Sequence, residues 1–249
     1  GRPEVSQFML DNAAMWLTDY HLDGLRVDST IYMRNTEGHD NDPAHDISHA
    51  WYLLQDIVEL AHKIKPSAIM IAEDCANSAY LTKPRSEQGC AFDAQWELGF
   101  PHALRDGLGL RGGRTLAGVR YELERSYNGN AFEKVVFSDS HDTAANGSVR
   151  LNEAASKGDA ADKNAREKAL LANAVMLTAP GIPMLLQGTE FMQEGSFNDW
   201  QELEWDKADK FSGIVLAHRH LIDLRSNRGG VTAGLLGQST AVFHQDDNN

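Results

Sequence analysis

The hydrophobic pattern of this chain switches repeatedly between the helical period and the strand period. Residues 3–17 and 51–64 carry apolar stripes with helical spacing. Residues 22–28 alternate between apolar and polar positions as a strand does, and residues 68–72 form the continuous apolar run of a strand that is buried on both faces. This alternation, without internal repeats, predicts an α/β fold made of parallel βα units.

Further elements continue the same alternation towards the carboxyl terminus. Helices are predicted near residues 115–126, 166–177 and 212–225, and strands near residues 91–93, 134–137 and 183–188. About four βα units result, which is half of an eightfold barrel. We therefore expect residues 1–228 to form the C-terminal half of a (β/α)8 TIM barrel. Glycine and threonine become frequent after that point, and a strand at residues 239–244 is expected to open a C-terminal β domain that begins at residue 229.

Composition and charge narrow the classes of partner. The 249 residues include 23 basic and 36 acidic side chains, a formal net charge of −13, which disfavours nucleic acid and anionic membranes as partners. No apolar run approaches the roughly 18 residues of a membrane span. Cys75 and Cys90 are too few for a disulfide framework, and we expect a cytoplasmic protein. The chain begins at Gly1 without methionine, so any targeting signal is expected to lie before it.

Three of the predicted strands are followed by an acidic residue. These acids are Asp28, Glu73 and Asp142. Because the carboxyl ends of parallel barrel strands converge on one face, acids far apart in sequence can meet there. Taken singly, an acid at a strand end is more often a helix cap or a solvated loop residue, and spacing alone leaves both interpretations open.

Glycoside cleavage needs two such carboxyl groups. One donates a proton to the leaving oxygen, while the other attacks the anomeric carbon or activates water. A separation of about 5 to 5.5 Å between them would indicate the retaining double displacement. Arg26 lies two residues before Asp28 on the same face of the strand, where it could hold that carboxylate ionised and oriented.

The segments around these acids resemble the signature regions of glycoside hydrolase family 13, the α-amylase family. The resemblance implies that Asp28, in Asp23–Asp28, is the nucleophile with Arg26 as its partner, and that Glu73, in Ile71–Asp74, is the general acid/base. In Ser140-His141-Asp142 it implies that the aspartate stabilises the transition state and that His141 binds the same sugar. Residues 179–191 are similar to the last barrel strand of the family.

Several subfamilies share parts of this pattern. Residues 23–28 and 180–191 look like glycogen branching enzymes, whereas residues 92–96 with His102 are similar to maltooligosyl-trehalose trehalohydrolases. The Lys-His pair that many plain α-amylases carry after the nucleophile is replaced here by Ser29-Thr30 and the residues that follow. The resemblance therefore implies a 1,4-α-glucan branching enzyme, with an α-amylase-type or trehalohydrolase-type hydrolase as the alternative and a catalytically inactive glucan-binding barrel as the non-enzyme alternative.

The resemblance also indicates what to expect of ligands. The substrate would be α-1,4-glucan or a maltooligosaccharide, with no cofactor and no metal among the residues named above. The first signature of the family would lie before Gly1, together with an asparagine that often serves a structural calcium ion.

Five further residues lie near the predicted site. Asp139 could touch substrate or support its loop, and four aromatic residues could stack on a sugar or pack beneath a loop, namely Trp96, Phe100, Phe197 and Trp200.

Overall fold

A computed structural model describes residues 2–156, 159 and 161–247 of the chain. It divides into two compact units, of which unit 1 comprises residues 1–97 and 126–135 and unit 2 comprises residues 98–125 and 136–249. The predicted boundary between residues 228 and 229 falls inside unit 2 and stays a prediction.

Unit 1 is a parallel sheet backed by helices. Its elements, in chain order, are α1 (Pro3–Thr18), β1 (Gly24–Val27), α2 (Thr30–Arg34), α3 (Ser48–Ile64), β2 (Ile69–Ala72), β3 (Ala94–Trp96) and the first half of β4 (Lys134–Phe137), with 3-10 helices at Pro43–His45, Ala79–Leu81, Arg85–Glu87 and Ala131–Glu133. The strands pair in parallel in their sequence order. This is the βα arrangement that the hydrophobic pattern predicts.

The core of unit 1 lies between α3 and the sheet. Leu54, Ile57, Val58 and Ala61 line the buried face of α3, and Met70 and Ala72 of β2 belong to the same apolar cluster. Leu54 is fully buried, so its truncation to alanine would cost about 2 to 5 kcal/mol of folding free energy. This packing fixes the ends of β1 and β2, where the acids stand.

Unit 2 contains the second half of β4, which neighbours β5 (Ile182–Met184) in the sheet. Its helices are α4 (Gly99–Gly107), α5 (Ala117–Glu124), α6 (Leu151–Ala155), α7 (Lys163–Thr178), α8 (Asp206–Lys210) and α9 (Ser212–Arg225), with 3-10 helices at Thr189–Phe191 and Ala233–Leu235. Its core joins Val136 to Met176 and Leu177 of α7, Phe100 of α4 and Phe211 before α9. Three of these helices, α5, α7 and α9, confirm the helices predicted near residues 115–126, 166–177 and 212–225.

Two strand predictions differ from the structure in position or length. The strand expected at residues 91–93 begins at Ala94, because Ala91 has a φ of 63° and the side chain of Asp93 accepts a hydrogen bond from the amide of Met70. The strand expected at residues 183–188 ends at Met184, and Gly188, with a φ of 88°, precedes a 3-10 helix.

The prediction of a strand at residues 239–244 is wrong. These residues have irregular backbone, and the side chain of Phe243 is 99% exposed. The alternating pattern alone is insufficient, since a strand needs a partner for its backbone groups.

The apolar stripe of α1 is mostly exposed, contrary to the expectation from its period. Ala13 and Leu17 are buried against α3, whereas Val5, Phe8 and Trp16 are exposed. Helical spacing shows that residues share a face but not that another element covers that face.

Candidate active site

Asp28 and Glu73 follow two paired strands. In the parallel register Val27 lies opposite Ala72, and the amide of Glu73 donates to the carbonyl of Val27 at 3.0 Å. Asp28 and Glu73 are thus the residues that directly follow the ends of two neighbouring strands of unit 1. Their side chains differ in environment, since that of Asp28 is 70% exposed and that of Glu73 is 9% exposed.

The guanidinium of Arg26 contacts both carboxylates. Its Nη1 lies 2.7 Å from Oδ1 of Asp28, and its Nη2 lies 3.6 Å from Oε2 of Glu73. A charge-assisted contact of this kind fixes the orientation of a carboxylate. The structure therefore confirms that Arg26 is a neighbour of Asp28, and it adds Glu73 as a second neighbour.

A backbone amide also holds the carboxylate of Glu73. The amide of Ser29 donates to Oε2 of Glu73 at 2.6 Å, and Ser29 adopts a left-handed backbone with a φ of 47°. A non-glycine residue in this region costs about 1 kcal/mol or more, and such strain is commonly found at functional sites. Oε2 thus accepts from one backbone amide and lies at ion-pair distance from Arg26, while Oε1 accepts from Sγ of Cys75 at 3.9 Å.

The residue after Glu73 anchors the loop that follows β1. Asp74 is fully buried and accepts from Arg34 at 2.8 Å (Nε) and 3.0 Å (Nη2), and the hydroxyl of Thr30 donates to it at 2.8 Å. Because Arg34 and Thr30 belong to α2, this ion pair ties the start of the loop to the end of β2. Ser29, between Asp28 and α2, is positioned as a result.

Trp96, the last residue of β3, lies beside Arg26. The distance from Cζ of Arg26 to the centroid of the indole is 4.1 Å, and Trp96 is 5% exposed. Packing is thus the observed role of this ring, instead of exposure to a sugar in a loop.

In unit 2, His141 and Asp142 lie together in a tight turn after β4. The hydroxyl of Ser140 accepts from the amides of Asp142 and Thr143, both at 3.2 Å, and Nε2 of His141 lies 3.3 Å from Oδ2 of Asp142. Both side chains are partly exposed. That Asp142 meets Asp28 and Glu73 around one sugar stays a prediction.

Asp139, just before this turn, is buried and fixed by two contacts. It is 2% exposed, contacts Nη2 of Arg105 at 2.5 Å and accepts from the amide of Leu151 at 2.8 Å. Burial raises the pKa of Asp139 above its usual value, although the charge of Arg105 opposes the change. A buried carboxyl with these partners acts as an anchor for the loop.

The remaining aromatic candidates have three different environments. Phe100 is buried in the core of unit 2, and Trp200 is 92% exposed. Phe197 packs edge-on against His141, with 6.0 Å between the ring centroids. Phe197 is therefore an aromatic neighbour of a predicted sugar-binding residue.

Among the residues that the structure describes, no group of three or more His, Cys, Asp or Glu side chains is arranged to hold a metal ion. No helix in that part of the chain is long and apolar enough to cross a membrane.

The sequence patterns did not single out Ser29, Asp74 or Arg34 for a role at the site. Arg34 is the one residue of the three that the sequence could have pointed to. It is the only charged residue in the short segment Thr30–Arg34, and such a residue often has an ionic partner. The left-handed backbone of Ser29 had no signal, since serine has no special preference for positive φ.

No protein-family model matches the chain. Among curated proteins, a 1,4-alpha-glucan branching enzyme of Corynebacterium diphtheriae is 29% identical over the whole chain, and one of Mycobacterium ulcerans is 30% identical over 87% of it. The chain covers 34% and 30% of these two relatives, so it spans about a third of their length.

Solved structures share the fold at lower identity. A pullulanase from Paenibacillus barengoltzii matches 90% of the chain with a TM-score of 0.68 and 20% identity, and the chain covers 36% of it. An alpha-amylase from Geobacillus thermoleovorans matches 88% of the chain with a TM-score of 0.58 and 20% identity, and 45% of it is covered. The parallel sheet corresponds to part of the barrel that is expected from the sequence. The curated relatives and the shared fold therefore confirm the resemblance of this chain to the α-amylase family.

Proposed function

We propose that this chain is part of a retaining enzyme that acts on α-glucan, and that its reaction is the formation of α-1,6 branches on α-1,4-glucan. The observation that carries the proposal is the placement of Arg26 between Asp28 and Glu73 at the ends of two paired strands. One carboxylate is exposed for attack and the other is largely enclosed. The names of the curated relatives support branching as the leading reaction.

In the first step, a carboxylate oxygen of Asp28 attacks the anomeric carbon while the glycosidic C–O bond breaks. Glu73 transfers its proton to the leaving oxygen. Oε2 of Glu73 already accepts from the amide of Ser29 at 2.6 Å, whereas among the described residues Oε1 accepts only from the weak donor Sγ of Cys75 at 3.9 Å, so we assign the transferred proton to Oε1. Asp142 stabilises the positive charge that develops on the ring, and His141 binds the same sugar.

In the second step, the 6-hydroxyl of an acceptor glucan attacks the same carbon. The bond to Asp28 breaks, and Glu73 takes up the hydroxyl proton. Water in place of the acceptor gives hydrolysis by the same two carboxylates. The choice between the two reactions depends on the acceptor side of the cleft.

The test is product analysis with the full-length protein that contains this chain. Amylose is incubated with the enzyme, and α-1,6 linkages are counted by proton NMR while reducing ends are measured in parallel. Branching requires a rise in α-1,6 linkages at a nearly constant number of reducing ends.

Other outcomes would contradict branching. A rise in reducing ends without new α-1,6 linkages indicates an α-amylase-type hydrolase, and release of trehalose from a trehalose-capped maltooligosaccharide indicates the trehalohydrolase alternative. Binding of amylose without any turnover indicates an inactive glucan-binding barrel.

A further inference from the structure

The guanidinium of Arg26 has fewer hydrogen bonds than its burial leads one to expect. Its Nε and Nη2 atoms are buried without a hydrogen-bond partner among the described residues, and Nη2 reaches Glu73 only at the ion-pair distance of 3.6 Å. An arginine inside a protein is normally oriented by bonds to most of its five N–H groups. Hydrogen bonds to the described residues therefore do not hold Nε and Nη2 of Arg26 in place.

The indole of Trp96 lies against this guanidinium. The distance of 4.1 Å from Cζ to the ring centroid is well within the range of a cation–π contact, and tryptophan is the strongest aromatic partner for a cation. Trp96 is 5% exposed, and the side chain of Arg26 is 25% exposed. Such a contact is stronger when it is shielded from water.

The backbone that carries the Trp96 ring is held by strand pairing and by the residue that follows. Trp96 pairs with Val135 of β4, and the next residue, Glu97, is fully buried. The hydroxyl of Tyr127 donates to the carboxylate of Glu97 at 2.6 Å, and the side-chain amide of Asn77 donates to it at 3.1 Å. The backbone at the end of β3 is thus fixed on both sides, which limits movement of the indole.

We propose that Trp96 is a positioning residue for catalysis, and that its indole holds the guanidinium of Arg26 at the point where it contacts both Asp28 and Glu73. The proposal rests on the proposed function, since it assigns the two carboxylates to the reaction. It gives Trp96 a role through Arg26 instead of a contact with sugar. Displacement of Arg26 would leave the two carboxylates without their common cation.

The first experiment compares Trp96→Phe and Trp96→Leu in the full-length protein with amylose as substrate. Trp96→Leu is expected to lower kcat by about tenfold to thirtyfold with KM changed by less than about twofold, and Trp96→Phe should recover most of kcat because it restores an aromatic face. Trp16→Leu, a substitution on the exposed face of α1, is the matched control and should leave kcat unchanged.

A second measurement covers the case in which Trp96→Leu fails to fold. Tryptophans with progressively more ring fluorine are installed at position 96 alone, which weakens the attraction of the ring for a cation at almost constant size. A stepwise fall in kcat with an unchanged thermal midpoint is the expected result. A constant kcat across the series would overturn the proposal.

Two further results would overturn it. One is a normal kcat with a raised KM in Trp96→Leu, because that pattern indicates contact with the sugar. The other is an equal loss in Trp96→Phe and Trp96→Leu, because an aromatic face would then be irrelevant. The Asp28→Asn variant shows which of the two proposals has failed. Full activity in Asp28→Asn would refute the proposed function itself. An inactive Asp28→Asn together with a fully active Trp96→Leu would refute only the role of Trp96.

Discussion

The amide of Ser29 donates to Oε2 of Glu73 at 2.6 Å, which links the residue after one strand-end acid to the carboxylate of the other. Ser29 reaches Glu73 because its backbone is left-handed and because α2 is anchored to Asp74. Oε2 of Glu73 is thereby bonded to backbone, while Oε1 accepts only from the weak donor Sγ of Cys75 within the part of the chain that the structure describes.

Glu73→Gln should lower turnover of amylose by about a thousandfold, since a positioned general acid contributes about 10² to 10⁴ in rate. The full-length variant should still form the covalent intermediate from α-glucosyl fluoride, because fluoride leaves without protonation. Added azide should then yield an α-glucosyl azide, which mass spectrometry and NMR detect.

Asp28→Asn is the control for that experiment. It should abolish turnover of both donors and give no azide product, because the attacking oxygen is lost. Asp142→Asn should lose most activity on both donors without a large change in the thermal midpoint. Near-normal activity in any of the three variants would exclude that residue from the proposed role.

Asp139→Leu should destabilise the protein by about 3 kcal/mol, because it leaves Arg105 without its ion pair and the amide of Leu151 without its acceptor. Asp139→Asn keeps an acceptor oxygen and should cost less. Urea unfolding at neutral pH measures both values, and an equal cost for the two variants would argue against the anchoring role.

The raised pKa of Asp139 leads to a prediction about how the stability of the protein depends on pH. Burial raises the pKa of Asp139, so the native state binds a proton there more tightly than the unfolded state does. The wild type should therefore gain stability relative to Asp139→Asn as pH falls from neutrality towards the ordinary aspartate value. A difference that stays constant over this pH interval would contradict the assignment.

Asp40→Asn should lower the pKa of His45. The hydrogen bond from His45 to Asp40, at 2.9 Å, raises the pKa of the imidazole, with burial opposing it. The stabilisation from this pair is complete below the unfolded histidine value and is lost as pH rises through the raised native value. NMR titration of the imidazole C–H signals measures the change, and His102, whose pKa is lowered by burial, is the internal control that should not move.

The two cysteines should react with a thiol reagent at very different rates. Cys75 is exposed, whereas Cys90 is fully buried and burial raises its pKa to about 12. One thiol should react in the native protein and a second only in denaturant. Cys75→Ser should remove the fast phase, and a fast phase that persists in this variant would show that Cys90 is accessible. A bulky adduct on Cys75 should also slow turnover, since its sulfur lies 3.9 Å from Oε1 of Glu73.

The sequence alone was sufficient for the βα order and for the neighbourhood of Asp28, Arg26 and Glu73. Alternation is a property of neighbouring residues and predicts the strands, and the rule that parallel strands end at one edge then brings their terminal acids together. The pattern was insufficient at residues 239–244 and on α1, because neither strand pairing nor burial is encoded in periodicity alone.

Only the tertiary structure decided how the carboxylates are held. The contact of Trp96 with Arg26 depends on the register between strands that are far apart in sequence, and the bond from Ser29 to Glu73 depends on a left-handed backbone that the fold imposes. Residue types and spacing thus determined which acids stand at the strand ends. The long-range packing of β1, β2 and β3 determined which side chains surround Asp28 and Glu73, because those contacts exist only once the strands are paired.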